Sequence, residues 1–70
     1  METLPLREGE SFIKLTQALK KLSLVDSGAE AKMRVRLGEV LVNGEAEDRP
    51  GRKLFADDVI SFQGKEYRVH

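Results

Sequence analysis

"SGAEAKMRVRLGEVLVNGE", residues 27–45, changes its periodicity partway through, and that change decides the fold class. The first half reads as a helix. Ser27 and Glu30 have the Ser-x-x-Glu spacing of a capping box, in which the serine oxygen takes an amide of the first turn and the glutamate reaches back. Ala31 and Val35 share one side of this helix, and Met33 and Leu37 lie nearly opposite, so cover from two directions is expected. Gly38 is its stop, since glycine enters the left-handed conformation of a helix C-terminus without steric cost. From Glu39 the period falls to two, and "EVLVNGEAE" reads as strand, turn, strand. Asn43-Gly44 is the turn: both central residues of a type I′ hairpin need positive φ, which these two types tolerate best.

Toward the N-terminus, Phe12, Leu15, Leu19 and Leu22 form one apolar stripe with Ala18 beside it, which predicts an amphipathic helix from Ser11. "LSLVDSG" separates it from the second helix. Toward the C-terminus, "DRPGRK" is a loop, because Pro50-Gly51 is a turn dipeptide and proline cannot donate to a sheet ladder. "DVISF" and "KEYRV" make a second hairpin about Gln63-Gly64. The expected architecture is α+β: two N-terminal helices packed on a small, mainly antiparallel sheet, as a single domain over residues 1–70. The phenylalanines are expected inside, Tyr67 in the core or at its rim, and His70 in a frayed tail.

Size and composition limit what such a chain does. Seventy residues bury one modest core and leave little room for a deep substrate cavity. No apolar run approaches the ~18 residues of a membrane span, and "METLPLREGE" lacks a basic segment followed by an apolar one, so cytoplasm is the default expectation. With no cysteine, disulfides, thiolate chemistry and cysteine-ligated zinc are excluded. Catalysis finds little support: His70 is the last residue, and Ser11, Ser23, Ser27 and Ser61 have no activating partner. Glu45 and Glu47 alternate on a strand and Asp57-Asp58 precedes another, without the spacing of a calcium loop, so they read as a solvated edge that discourages pairing with other chains. Neither a metal nor another cofactor is expected.

Twelve basic and twelve acidic residues cancel overall, but not locally. Lys14, Lys20, Lys21, Lys32, Arg34 and Arg36 dominate the helical region, Glu39, Glu45, Glu47 and Asp48 the first hairpin, and Arg49, Arg52 and Lys53 the loop after it. Such separation permits one electropositive face on a neutral molecule, although a mixed, solvated surface fits the composition as well. Lys32 and Arg36 lie one turn apart on a single ridge, a repulsion of a few tenths of a kcal/mol that a polyanion relieves. Lys14 stands near the start of the first helix. Arginine suits phosphate because its planar fork bonds two oxygens at once, and a loop stiffened by Pro50 loses less entropy on closing over a sugar-phosphate backbone.

The order of helix, "SGAEAKMRVRLGEVLVNGE", basic loop and "DDVISF" resembles the RNA-binding domain first recognised in bacterial ribosomal small-subunit protein four, also called the alpha-L motif. The matching positions are Ser27-Gly28, the Ala31/Val35 pair and Gly38-Glu39-Val40-Leu41-Val42-Asn43-Gly44, and the resemblance spans about residues 11–62. "FIKLTQALK", "SGAEAK" and "RPGRKL" look like the version found in the small stand-alone bacterial members, the YbcJ-like group. There are two departures. Larger members begin the first helix with Arg-Leu-Asp where this chain has Phe12-Ile13-Lys14, so no arginine contact is carried over. A family Gly-Asp before the last core strand is Ala56-Asp57-Asp58 here.

The resemblance implies a noncatalytic protein that binds structured RNA, ribosomal or transfer, mostly by shape and backbone, in ribosome function or assembly. It also implies that Lys14, Ser27, Gly28, Lys32, Arg36, Arg49, Arg52 and Lys53 share the contact, with the second helix N-terminus offering free amides and partial positive charge. Two alternatives stand beside it: a ribosome quality-control factor that stabilises tRNA or the large subunit, and a protein-interaction module using the acidic hairpin of Glu45, Glu47 and Asp48. No membrane and no small-molecule substrate is expected as a partner.

Overall fold

The computed structural model describes all of residues 1–70. Its elements in chain order are β1 (Glu2–Leu4), β2 (Ile13–Lys14), α1 (Leu15–Lys21), α2 (Gly28–Arg36), β3 (Val40–Val42), β4 (Glu45–Ala46), β5 (Lys53–Leu54), β6 (Val59–Phe62) and β7 (Lys65–Val69). A five-stranded sheet runs β1-β7-β6-β3-β4, and β2 with β5 forms a separate two-stranded ribbon. All pairs are antiparallel except β1 with β7, where Leu4 stands beside Val69. The α+β class and the mainly antiparallel sheet match expectation. The helices are not the first elements, however, because β1 and β2 precede them, and β1 forms one edge of the sheet.

The first helix also starts later than its apolar stripe suggests. It begins at Leu15, with Lys14 in extended conformation as its N-cap residue (φ −74°, ψ 147°). The cause is tertiary. Leu15 and Thr16 donate their amides to the carbonyls of Arg52 and Pro50 at 2.9 and 3.2 Å, so the basic loop satisfies helix-start donors that have no partner within the helix. Ile13 and Lys14 are thereby drawn into pairing with Leu54 and Lys53, where the β-branched Ile13 fits a strand.

The second helix follows its sequence closely. Ser27 Oγ accepts the Glu30 amide at 3.1 Å, while Glu30 Oε1 accepts the Asp26 amide at 2.8 Å, one residue before the position a standard box uses. Gly38 takes φ 77°, donates to Val35 O, and is followed by Glu39 donating to Arg34 O, the paired bonds of a Schellman ending. Both hairpins turn through two residues of positive φ, Asn43-Gly44 and Gln63-Gly64. Asn43 does more than turn. Its side-chain oxygen accepts the Val59 amide at 2.9 Å and its amide donates to Asp58 Oδ1 at 3.1 Å, tying the first hairpin to the strand beside it.

Leu15, Ala18 and Leu19 of α1, Ala31 and Val35 of α2, and Val40, Val42, Ile60, Phe62, Tyr67 and Val69 of the sheet form one buried cluster, joined by Leu4, Ile13, Val25 and Leu54. Tyr67 is thus a core residue. Three expectations need correction. Met33 and Leu37 are exposed, because α2 is packed on the Ala31/Val35 side only. Phe12 is half-buried and Phe55 exposed, since they flank the strand residues Ile13 and Leu54 that point inward. His70 is not frayed: its amide donates to Leu4 O and its carbonyl accepts from Leu6, which anchors the chain end to β1.

Candidate nucleic-acid interface

The basic loop is organised from below by one acid. Glu47 lies past β4 with its amide bonded to Val40 O, opposite a core valine, so its side chain turns inward and is only 6 % exposed. Its carboxylate accepts the Arg49 amide at 3.0 Å, Arg49 Nε at 3.1 Å, Arg49 Nη2 at 3.0 Å and Arg52 Nη1 at 2.8 Å. A buried carboxylate needs such company, because leaving water without charged partners would neutralise it. The Arg49 side chain foremost, then its amide and Arg52, hold the Glu47 pKa at about 2 against the opposing effect of burial, and Glu47 in turn raises that of Arg49. Glu47 is therefore no solvated edge residue. The proposed acidic docking hairpin keeps only Glu45 and Asp48 at the surface.

Around this clamp the structure gathers part of the expected set. Because the Arg52 and Pro50 carbonyls cap α1, the loop carrying Arg49, Arg52 and Lys53 sits against Lys14. Lys14 and Lys53 face each other directly across the β2–β5 ribbon. Like charges in that position repel, and neither forms an ion pair. The Arg49 side chain is 70 % exposed and that of Arg52 29 %, so both retain guanidinium N–H groups beyond those Glu47 engages.

The α2 residues form a second group, on a helix that packs chiefly against α1. Lys32 and Arg36 are exposed and without ion pairs, beside the exposed Met33 and Leu37. Arg34, by contrast, is tied to Glu39 at 2.9 Å and Glu30 at 3.5 Å, and the Glu39 bond leads in raising its pKa. Ser27 is occupied as a cap, and Gly28 is half-buried with open space where a Cβ would stand. Lys20 and Lys21 line, with Arg7, Glu10 and Gln17, a shallow depression of about 400 Å³ that holds no metal-ligating cluster. No helix is long and apolar enough to cross a membrane.

Sequence reasoning missed two features here: the Glu47 clamp and the pairing of an exposed Phe55 with a half-buried Phe12. The Glu-x-Arg-x-x-Arg spacing of Glu47, Arg49 and Arg52 was a usable signal for the first. For the second, the signal was the alternation Lys53-Leu54-Phe55 about a single inward residue.

Two helices on a mainly antiparallel sheet, with a hairpin leading into a cation-bearing loop that caps the first helix, define a small domain of the alpha-L type. The chain belongs to the S4 domain family, which matches residues 6–70. It is 40 % identical over 60 residues to a protein of Bacillus subtilis named as a probable ribosome maturation protein, RlbA, covering 86 % of this chain and 84 % of that one. It is 35 % identical over 57 residues to the putative RNA-binding protein YbcJ of Escherichia coli, covering 81 % of each. The solution structure of E. coli YbcJ, described as revealing an alpha-L motif involved in RNA binding, superposes with a TM-score of 0.69 at 33 % identity, over 99 % of this chain and 86 % of that one.

Proposed function

We propose that this chain is a noncatalytic RNA-binding protein that holds structured RNA, ribosomal or transfer, chiefly by its phosphates, and that it serves ribosome maturation in the cytoplasm. The observation that carries this reading is the facing pair Lys14 and Lys53, set without counter-charges beside the exposed Arg49 on a loop fixed by Glu47. A phosphate run supplies the missing anions, and a preordered loop meets it at low entropic cost. The Lys32/Arg36 ridge of α2 extends the contact, and the Ser27-Gly28 end of that helix adds amide donors. Membership in the S4 domain family and the names of both relatives support the same reading.

Fluorescence-anisotropy titration of a labelled RNA hairpin at several salt concentrations tests it, with single-stranded RNA and duplex DNA as controls. Lys32→Glu and Lys53→Glu are the informative variants, because both side chains are exposed and neither forms an ion pair. The expected result is preferred hairpin binding, loss of about 0.7–0.9 counterions per neutralised phosphate, and weaker binding by each variant. Absence of hairpin binding at low salt, or unchanged affinity in both variants, overturns the reading.

A further inference from the structure

The outer face of the β2–β5 ribbon carries more than charge. Ile13 pairs with Leu54 and Lys14 with Lys53, so the next step of that register sets Phe12 opposite Phe55. Their ring centroids are 6.0 Å apart with planes tilted by 52°. Ile13 and Leu54 point into the core, which leaves Phe12, Lys14, Lys53 and Phe55 together on the solvent side. Lys53 Nζ lies 4.8 Å from the centre of the Phe12 ring, within cation–π range. Phe55 is 50 % exposed in a chain with only three phenylalanines.

The Phe55 backbone is also fixed. Its amide donates to Asp58 Oδ2 at 2.8 Å, and its carbonyl accepts the Asp58 amide at 3.0 Å, closing the turn that follows it. The second oxygen of Asp58 is taken by Asn43, so that acid is committed to the fold. An exposed aromatic ring, backed by a second ring and flanked by two cations without carboxylate partners, fits a ligand that is planar and anionic at once.

We propose that Phe55 is a stacking platform for one unpaired base of a structured RNA, with Phe12 behind it and Lys14 and Lys53 holding the adjacent phosphates. This deepens the RNA-binding reading and rests on it. It names the ligand class more narrowly: RNA with a bulged or looped-out nucleotide beside a paired stem. Every base offers a π-face to an aromatic side chain once it is unstacked, whereas a base within a continuous duplex has none free. A purely apolar protein partner fits less well, since covering Phe55 would strip water from Lys14 and Lys53 without replacing it by anions.

Two RNA hairpins closed by the same non-nucleotide linker and otherwise identical, one fully paired and one with a single bulged 2-aminopurine, are titrated with wild type, Phe55→Leu and Phe55→Tyr. Wild type binds the bulged hairpin about tenfold more tightly, equivalent to about 1.4 kcal/mol and within the range for one base–aromatic stack, and the bound 2-aminopurine is quenched. Phe55→Leu, whose fold is verified by circular dichroism, loses both the preference and the quenching while binding the paired hairpin as before. Phe55→Tyr keeps both. Equal wild-type affinity for the two hairpins, or a preference that survives in Phe55→Leu, overturns the stacking platform and leaves phosphate binding intact. Failure of both hairpins to bind at low salt overturns both readings together.

Discussion

Replacing Glu47 by glutamine removes one charge from the base of the loop and almost nothing from its shape. The native carboxylate accepts four hydrogen bonds, three from Arg49 and one from Arg52, in a site 6 % exposed. Glutamine has one acceptor oxygen, and its amide N–H groups would meet guanidinium donors. Lowering the Glu47 pKa from 4.5 to about 2 corresponds to about 3 kcal/mol of preference for the charged native form. Solvent screening at Arg49, 70 % exposed, reduces that, so Glu47→Gln is expected to cost about 2 kcal/mol. A domain of 70 residues has roughly 3.5–10 kcal/mol in total, at about 0.05–0.15 per residue, so the loss is substantial. The sign with pH follows from linkage. Because the folded-state pKa lies below the unfolded one, the contribution is complete above about pH 4.5 and disappears as pH falls toward about 2. Urea unfolding followed by circular dichroism between pH 7 and pH 2 reads both quantities. The wild-type advantage over Glu47→Gln should stay constant from pH 7 to about 5 and then shrink. A variant as stable as wild type, or an advantage independent of pH, would refute the clamp as an ionic contact.

Further substitutions probe other parts of the fold. Ser27→Ala removes the oxygen that accepts the Glu30 amide and should lower stability by about 1 kcal/mol in the same urea assay. Asn43→Ala loses two side-chain bonds and places a Cβ-bearing residue with no local compensation at φ 53°, for about 2 kcal/mol; Asn43→Gly relieves the backbone term only and should fall between alanine and wild type. Lys14→Glu sets opposite charges across the ribbon, so it should raise the midpoint of thermal unfolding by about 1–2 °C while weakening RNA binding severalfold. Calorimetry and anisotropy on that one variant separate the structural from the binding demand at Lys14.

The parts of the fold that sequence revealed were those written in local signals. Ser27, Gly38, Asn43 and Gly44 each perform the cap, stop or turn that their chemistry favours, and the bonds made by Ser27 and Gly38 come from within a few residues. The misplaced boundary of α1 has a different origin. Phe12 continues the helical stripe well enough, but the donors at the helix start are met by carbonyls from Arg52 and Pro50, far along the chain, and Ile13 is drawn into the pairing that results. No local pattern contains that information. The parallel partnership of β1 with β7 was hidden for the same reason: "ETL" is too short to show a period, and its register is set by Val69 at the other end of the chain.

Charge is where sequence and structure differ most instructively. Counting along the chain treats Glu47 as one of four acids opposing the bases that follow it, and so as the negative half of a divided surface. In the structure that acid lies beneath two of those bases, and its charge is spent inward. The loop is consequently less positive than its sequence suggests and better ordered. Arg49 and Arg52 give Glu47 three side-chain bonds in total, leaving guanidinium donors on both directed away from it. Lys14, Lys32, Arg36 and Lys53 hold no such acid, so within the expected contact set the uncompensated charge lies on the ribbon and on α2. Orientation therefore falls to the paired arginines and attraction to the unpaired cations. Weakening the clamp should consequently alter loop order and stability before it alters long-range attraction, whereas charge reversal at Lys32 or Lys53 should act on attraction first.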